Sequence, residues 1–407
     1  MRLSKTFIKT LREAPSDETA INGALLTRAG YIHKEIAGVY DYLPLGLRVI
    51  EKIKTIIREE LNAIGCEEVQ MSALQNPELW EKTGRFSDQE VDIWFKTELS
   101  AGGILGLAPT HEEPMVGMLK SYISSYKDLP LYVYQFQTKF RNELRAKSGI
   151  MRGREFLMKD LYSFHTSEED LDNFYSIVEQ AYERIFDRLG LGEDTHETFA
   201  SGGIFAKFSH EYQTFLPVGE DTVYYNKDKS LVFNKEVFED TVLAEFGAKK
   251  SDFTETKAAE VGNIFKLKCK YTEPLELKYT DDSNNTHAVY MGCYGIGVSR
   301  VMGVIAEKFA DEKGLVWPEA VAPFVYFLVG IGEKGAMEAE KLYKGREDNI
   351  LFDDREARPG EKFKDSELLG IPYRVVVSDK TLALNKAEVT VRATGETKLV
   401  DLDKLFV

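Results

Sequence analysis

The stretch KFRNELRAKSGIMRGREFLMKD, residues 139–160, carries seven Lys or Arg against three acidic residues, in a chain of formal net charge -15. Gly149 and Gly153 loosen the backbone between two arginine-rich ends. Upstream, LYVYQFQTKFRNE (131–143) alternates and is rich in aromatic residues, and downstream REFLMKDLYSFH (154–165) alternates again. A period of two marks strands, so the pair predicts an antiparallel hairpin with a long, basic tip. Strand alternation places Glu143 on the face of Arg141, with Arg152 opposite. Arginine's fork suits bidentate recognition of phosphate or carboxylate. A carboxylate such as Glu143 cannot help to hold phosphate, but it can accept from an exocyclic amine such as that of adenine. Phe156 offers an aromatic face for a base. On this segment alone the competing reading is a solvated, salt-bridged hairpin.

The rest of the composition narrows the class. A chain of 407 residues is too long for one core and suits two or three domains. Hydrophobic content of 43% and aromatic content of 12% describe a globular protein. Cys66, Cys269 and Cys293 form no CxxC pair, which disfavours a disulfide framework and a zinc site and fits reduced thiols in a cytoplasmic protein. No apolar run reaches the length of a membrane span. The opening MRLSKTFIKTLREAP has some transit-peptide character, but Glu13 and Asp17 follow at once, so an ordinary first helix is expected. The overall acidity excludes diffuse, charge-driven nucleic-acid binding and leaves only local basic patches for that purpose.

Leu47, Ile50, Ile53, Ile57, Leu61 and Ile64 repeat at three- and four-residue steps before Gly65, predicting a helix entered through YLPLG at 42–46. Ser167 is placed to cap a second helix, about 168–189, with Leu171, Phe174, Val178, Ile185 and Leu189 on one face. Residues 221–260 turn polar and read as a connector. Residues 323–407, with short alternating strands and helices, read as a small α/β domain after a larger unit at 1–322.

Several motifs then converge. F-R-x-E, a loop, and R-x-x-x-F-x-x-x-D (Phe140, Arg141, Glu143, Arg152, Phe156, Asp160) resemble motif 2 of class II aminoacyl-tRNA synthetases. MGCYGIGVSR (291–300) resembles their motif 3, and Pro44 with its helix resembles motif 1. A Rossmann fingerprint fails because Arg300 stands where its last glycine belongs, and no P-loop is present. The pieces TRAGYIHKEIAGVYDYLPLGLRV, LAPTHEEP, FSHEYQ, EVGNIFKL, GLVWPEAVAPF and DDREARPGEKFKDSELLGIPYRV narrow the resemblance to the bacterial type of prolyl-tRNA synthetase over nearly the whole chain.

That resemblance implies an α+β catalytic domain with a mostly antiparallel sheet and a C-terminal anticodon-binding domain. It implies ATP-dependent ligation of L-proline to tRNA(Pro), with Mg²⁺ and without zinc, by a homodimer. Thr110 and Glu112 would bind the proline ammonium, and Arg141 the carboxylate and the α-phosphate. Glu143 and Phe156 would take adenine, and Arg152 and Arg300 the outer phosphates. His210 would lie against the proline ring, Cys293 would be an apolar wall, and Glu211 a Mg²⁺ ligand. In the tail, which has 14 basic against 16 acidic residues, Arg355, Arg358 and Lys362 would meet the anticodon; these three read equally as surface salt bridges. Many such enzymes carry an inserted domain that hydrolyses alanyl-tRNA. The interval 221–260 is too short for one, leaving that task to a separate protein. A non-catalytic relative would not need the arginine and glutamate set, and a ligase loading another carrier would not need the tail.

Overall fold

The computed structural model describes residues 1–144, 146, 148–202 and 208–406. The helix Pro44–Ala63 begins with proline at its first turn, where the missing N–H costs nothing. It closes at Gly65, whose φ of 84° suits a residue without Cβ and whose N–H donates to Asn62 O at 3.0 Å. Leu45, Val49, Ile50, Ile53, Ile57 and Leu61 form its buried face, while Leu47 stays half exposed on the outer side. Each fully buried side chain of this kind contributes about 1.5–3 kcal/mol. Ser167 accepts from the Asp170 N–H to open the helix Glu168–Arg188. The Arg184 and Arg188 side chains reach Glu60, each at 2.8 Å, and tie the two helices together.

Both helices pack on one face of a nine-stranded sheet. Its order is Phe208–Phe215, Thr195–Ser201, Val232–Asn234, Asp221–Asn226, Phe253–Lys268, Tyr290–Ile296, Glu155–His165, Leu131–Phe140 and Glu67–Glu68. Neighbours run antiparallel except for Val232–Asn234 against Thr195–Ser201 and Glu67–Glu68 against Leu131–Phe140. The basic stretch is the tip of an antiparallel hairpin registered from Leu131 opposite Phe164 to Phe140 opposite Glu155. The first strand ends at Phe140, so Arg141 and Glu143 owe their placement to a tight turn, in which the Glu143 N–H donates to Arg141 O at 2.7 Å, and not to strand alternation.

Two expectations are corrected. Residues 221–260 are no loose connector: Asp221–Asn226, Val232–Asn234 and the start of Phe253–Lys268 are strands of the main sheet, with Val223, Val232, Phe233 and Leu243 buried beneath them. Only Val223 of Asp221–Asn226 is buried, and Val232 and Phe233 are buried side by side, so neither short strand shows a period of two. The first residues are no α-helix either. After a short turn at Leu3–Lys5 the chain is irregular as far as Ala20, and its start is held because Arg2 pairs with Glu340 and Asp354 and Ser4 bonds to Asp354 on the C-terminal unit. The first α-helix is Ile21–Arg28.

The C-terminal unit has its own five-stranded sheet, ordered Ile350–Asp353, Tyr326–Ile331, Tyr373–Ser378, Lys386–Val391 and Thr397–Asp401. The first three are parallel and joined through the helices Gly332–Tyr343 and Pro359–Leu369; the last two form an antiparallel meander. Tyr31 fastens the two units. Its hydroxyl donates to Leu369 O at 2.7 Å and accepts from Trp317 Nε1 at 2.9 Å. Among the described residues no helix is long and apolar enough to cross a membrane.

Candidate active site

Two adjoining pockets open on the face of the large sheet opposite the long helices. Arg141, Met158 and Asn263 line both. Arg141 leaves the hairpin just after the strand end, and its guanidinium lies 5.2 Å over the Phe156 ring. Its Nε donates to Pro109 O at 3.3 Å, and its two terminal nitrogens make no hydrogen bond or ion pair with the described residues. Burial and the nearby Arg300 charge push its pKa down, so the charge there is costly until an anion arrives.

The first pocket also holds Glu143, Arg152, Phe156, Glu260 and Arg300. Glu143 accepts from Arg152 Nη2 at 2.9 Å within the hairpin tip, and Arg152 Nη1 reaches Glu220, outside the hairpin, at 3.1 Å. Arg300 enters from the first turn of the helix Val298–Lys308 and is aimed by two carbonyls, Met151 O and Glu260 O, each at 2.7 Å.

The second pocket holds Thr110, Glu112 and Cys293. The Thr110 hydroxyl donates to Glu112 at 2.6 Å, and Tyr162 and the Cys293 thiol approach the other carboxylate oxygen at 3.5 Å. Burial and the neighbouring Glu112 and Asp160 raise the Cys293 pKa well above that of an ordinary thiol, so it stays protonated and is no nucleophile. Below lies a buried polar group that sequence reading missed. Lys139 bonds to Asp160 at 2.9 Å and to His111, whose far nitrogen meets Ser72 O at 3.0 Å. Burial and the Lys139 charge hold His111 down at about 4, so it is neutral. The signal available was the run Gln135, Gln137, Lys139, three polar residues on one face of an aromatic-rich strand. Arg85, which also lines this pocket, gave no signal at all.

The register separates His210 from Glu211. On Phe208–Phe215, His210 faces Ile264 and Glu211 faces Asn263. Asn263 lines the pockets and Ile264 is in the core under the helices, so alternation sends His210 to the far side. There its Nδ1 lies 2.9 Å from Glu197 and 3.0 Å from the Tyr175 hydroxyl, and Glu179 and Glu197 lift it against burial to about 9. His210 is an ion-pair residue outside the pocket lining. Glu211 stays on the pocket side, where burial and the Glu260 charge push it up to about 7. Glu211 with Glu260 near it offers carboxylate oxygens that suit a divalent cation.

Two of the three tail candidates are used internally. Arg355 pairs with Asp353 and Asp365, each at 2.7 Å, and buried Lys362 donates to Asp353 O at 3.0 Å. Arg358, at the start of the helix Pro359–Leu369, lines a groove with Arg12, Arg28 and Lys364. None of these four has an acidic partner among the described residues.

Residues 95–309 match the family described as tRNA synthetase class II core domain (G, H, P, S and T), and residues 327–406 match the anticodon binding domain. A proline–tRNA ligase of Wolbachia pipientis wMel is 38% identical, with 99% of this chain and 98% of that protein covered. One from Geobacillus kaustophilus is 34% identical over 563 positions, covering 100% of this chain and 98% of that protein. That relative therefore carries segments absent from these 407 residues. The prolyl-tRNA synthetase of Giardia lamblia, solved with prolyl-adenylate, shares the fold at a TM-score of 0.77 and 19% identity, over 95% of this chain and 75% of that one. The chain belongs to the proline–tRNA ligase family of class II aminoacyl-tRNA synthetases.

Proposed function

We propose that the protein joins L-proline to tRNA(Pro) in two steps. Proline lies in the second pocket, its ammonium against Glu112 and Thr110 and its carboxylate toward Arg141. ATP lies in the first, with the base against Phe156 and Glu143 and the outer phosphates against Arg152 and Arg300. A proline carboxylate oxygen attacks the α-phosphorus and pyrophosphate leaves; the terminal ribose hydroxyl of tRNA then attacks the adenylate carbonyl and AMP leaves. No side chain becomes covalently attached. Positioning two reactants and neutralising charge where it develops carry the first step. The observation that supports this most is Arg141, at the seam of both pockets with its terminal nitrogens unpaired. Glu211 and Glu260 would hold Mg²⁺, which supplies further charge neutralisation to the phosphates.

In the same reading tRNA runs along the groove of Arg12, Arg28, Arg358 and Lys364, the enzyme works as a homodimer in the cytoplasm, and alanyl-tRNA(Pro) is cleared by another protein. Amino-acid-dependent ATP–pyrophosphate exchange across the common amino acids, followed by charging of total tRNA, tests the assignment. Proline should dominate both assays. Preference for another amino acid, or exchange without charging, would overturn it.

A further inference from the structure

Glu112 and Glu113 are adjacent in the first turn of the helix Glu112–Leu119, and both are buried. Two carboxylates so placed compete for one negative charge unless a cation divides them. Arg85 does so. Its Nη1 lies 2.9 and 3.1 Å from the two oxygens of Glu113 and 3.6 Å from Glu112. Thr83 adds a hydroxyl to Glu113 at 2.8 Å. The guanidinium is itself fixed between the rings of Trp80 and Tyr271, at 4.9 and 5.2 Å. Arg85 follows a glycine at φ 75°, and its own carbonyl accepts from Trp94 Nε1 at 3.0 Å, so its backbone is held too.

The surrounding charges make this pairing decisive. From the Glu155–His165 strand come Tyr162 and Asp160, and Asp160 is matched by Lys139. From Tyr290–Ile296 comes Cys293, and past Phe253–Lys268 come Tyr271 and Lys270. The tyrosines and the thiol are pushed upward and stay neutral. Lys270 is the other nearby cation, drawn down by burial and by Arg85. With Arg85 closest to Glu113 and Lys139 on Asp160, the pocket presents Glu112, which Arg85 reaches only at 3.6 Å, and Arg141, whose terminal nitrogens have no partner among the described residues. That is the complement of a zwitterionic amino acid. Even with Arg85 in place, burial and Glu112 push Glu113 up to about 7; without it one proton would settle on the pair.

We propose that Arg85 is a positioning residue for amino-acid recognition: by binding Glu113 it balances the charge beside Glu112 and leaves the Glu112 carboxylate to the substrate ammonium. This rests on the assignment of Glu112 to that ammonium, and the test separates the two. Exchange kinetics against proline and against ATP would be measured from about pH 7 to 9 for wild type, R85M, R85K, R85M/E113Q and E112Q, with circular dichroism as a check of folding. R85M should raise the proline KM roughly tenfold or more near neutral pH and leave the ATP KM unchanged. The defect should shrink toward pH 9 as both carboxylates ionise, and the proline KM of wild type should change much less over the same range. R85K should rescue in part, and R85M/E113Q should recover most of the proline affinity because Glu112 no longer has a charged neighbour. Equal losses for both substrates with no pH dependence, or a double variant no better than R85M, would overturn the proposal. If R85M does not fold, the R85K and R85M/E113Q results decide it. An unchanged proline KM in E112Q would remove the underlying assignment, whereas a raised one with a normal R85M would remove the Arg85 role alone.

Discussion

Lys159 offers a quantitative test of the core beneath the site. Alternation along Glu155–His165 points Met158 and Asp160 at the pockets and Lys159 at the opposite, helix-covered face. Its amine is fully buried and donates to the Tyr182 hydroxyl at 2.6 Å and to Tyr294 O at 2.9 Å. It makes no ion pair with an acid among the described residues. Burial therefore lowers its pKa from 10.5 to about 7. The folded value lies below the unfolded one, so the unfolded chain binds more protons between those limits. Stability must rise with pH through that window and lose this contribution as pH falls toward 7. Worked through, the gain from pH 7 to 9 is about 2 kcal/mol, out of on the order of 5 kcal/mol across the full window. Lys159→Met keeps most of the volume and removes the titration. Urea unfolding of both proteins at pH 7, 8 and 9 should give curves that converge as pH rises, with wild type gaining on the variant. Parallel pH dependence would refute the reasoning, because it would mean that the amine is hydrated or paired in the folded state.

Two further outcomes follow from the groove and from the sheet. Reversing Arg358 and Lys364 to Glu should raise the tRNA KM at least about tenfold and make its dependence on salt shallower, with exchange unaffected; unchanged charging kinetics would remove the groove from tRNA binding. Because residues 221–260 are sheet strands and their supports, the purified protein should activate alanine detectably, a few missing methylenes being worth only about 1–3 kcal/mol. It should not hydrolyse preformed alanyl-tRNA(Pro) above the spontaneous rate, and enzyme-dependent deacylation would show an editing site elsewhere.

What was legible in the sequence divides along a physical line. Pro44, Gly65 and Ser167 act within a turn or two of themselves, so the two long helices and their ends could be read locally. The hairpin was equally clear, since its alternation and its basic tip lie in one stretch. Properties set by register were not. His210 and Glu211 are neighbours in sequence and lie on opposite faces, and only the pairing with Ile264 and Asn263 says which face is which. The strands Asp221–Asn226 and Val232–Asn234 escaped because they are short and bury their residues without a period of two. Arg355 and Lys362 read equally as anticodon contacts and as salt bridges, and only the fold that brings Asp353 against them decides. Arg85 sits in an unremarkable loop and gains its meaning from Glu113, 28 residues away.

The central claim is that Arg141 serves both reactants of adenylate formation. Proline-dependent ATP–pyrophosphate exchange by a folded Arg141→Ala protein tests it most directly. The loss of one preorganised charged donor predicts a fall on the order of a hundredfold or more, about 3 kcal/mol, with circular dichroism and melting close to wild type. Near-normal exchange by that protein would contradict the account.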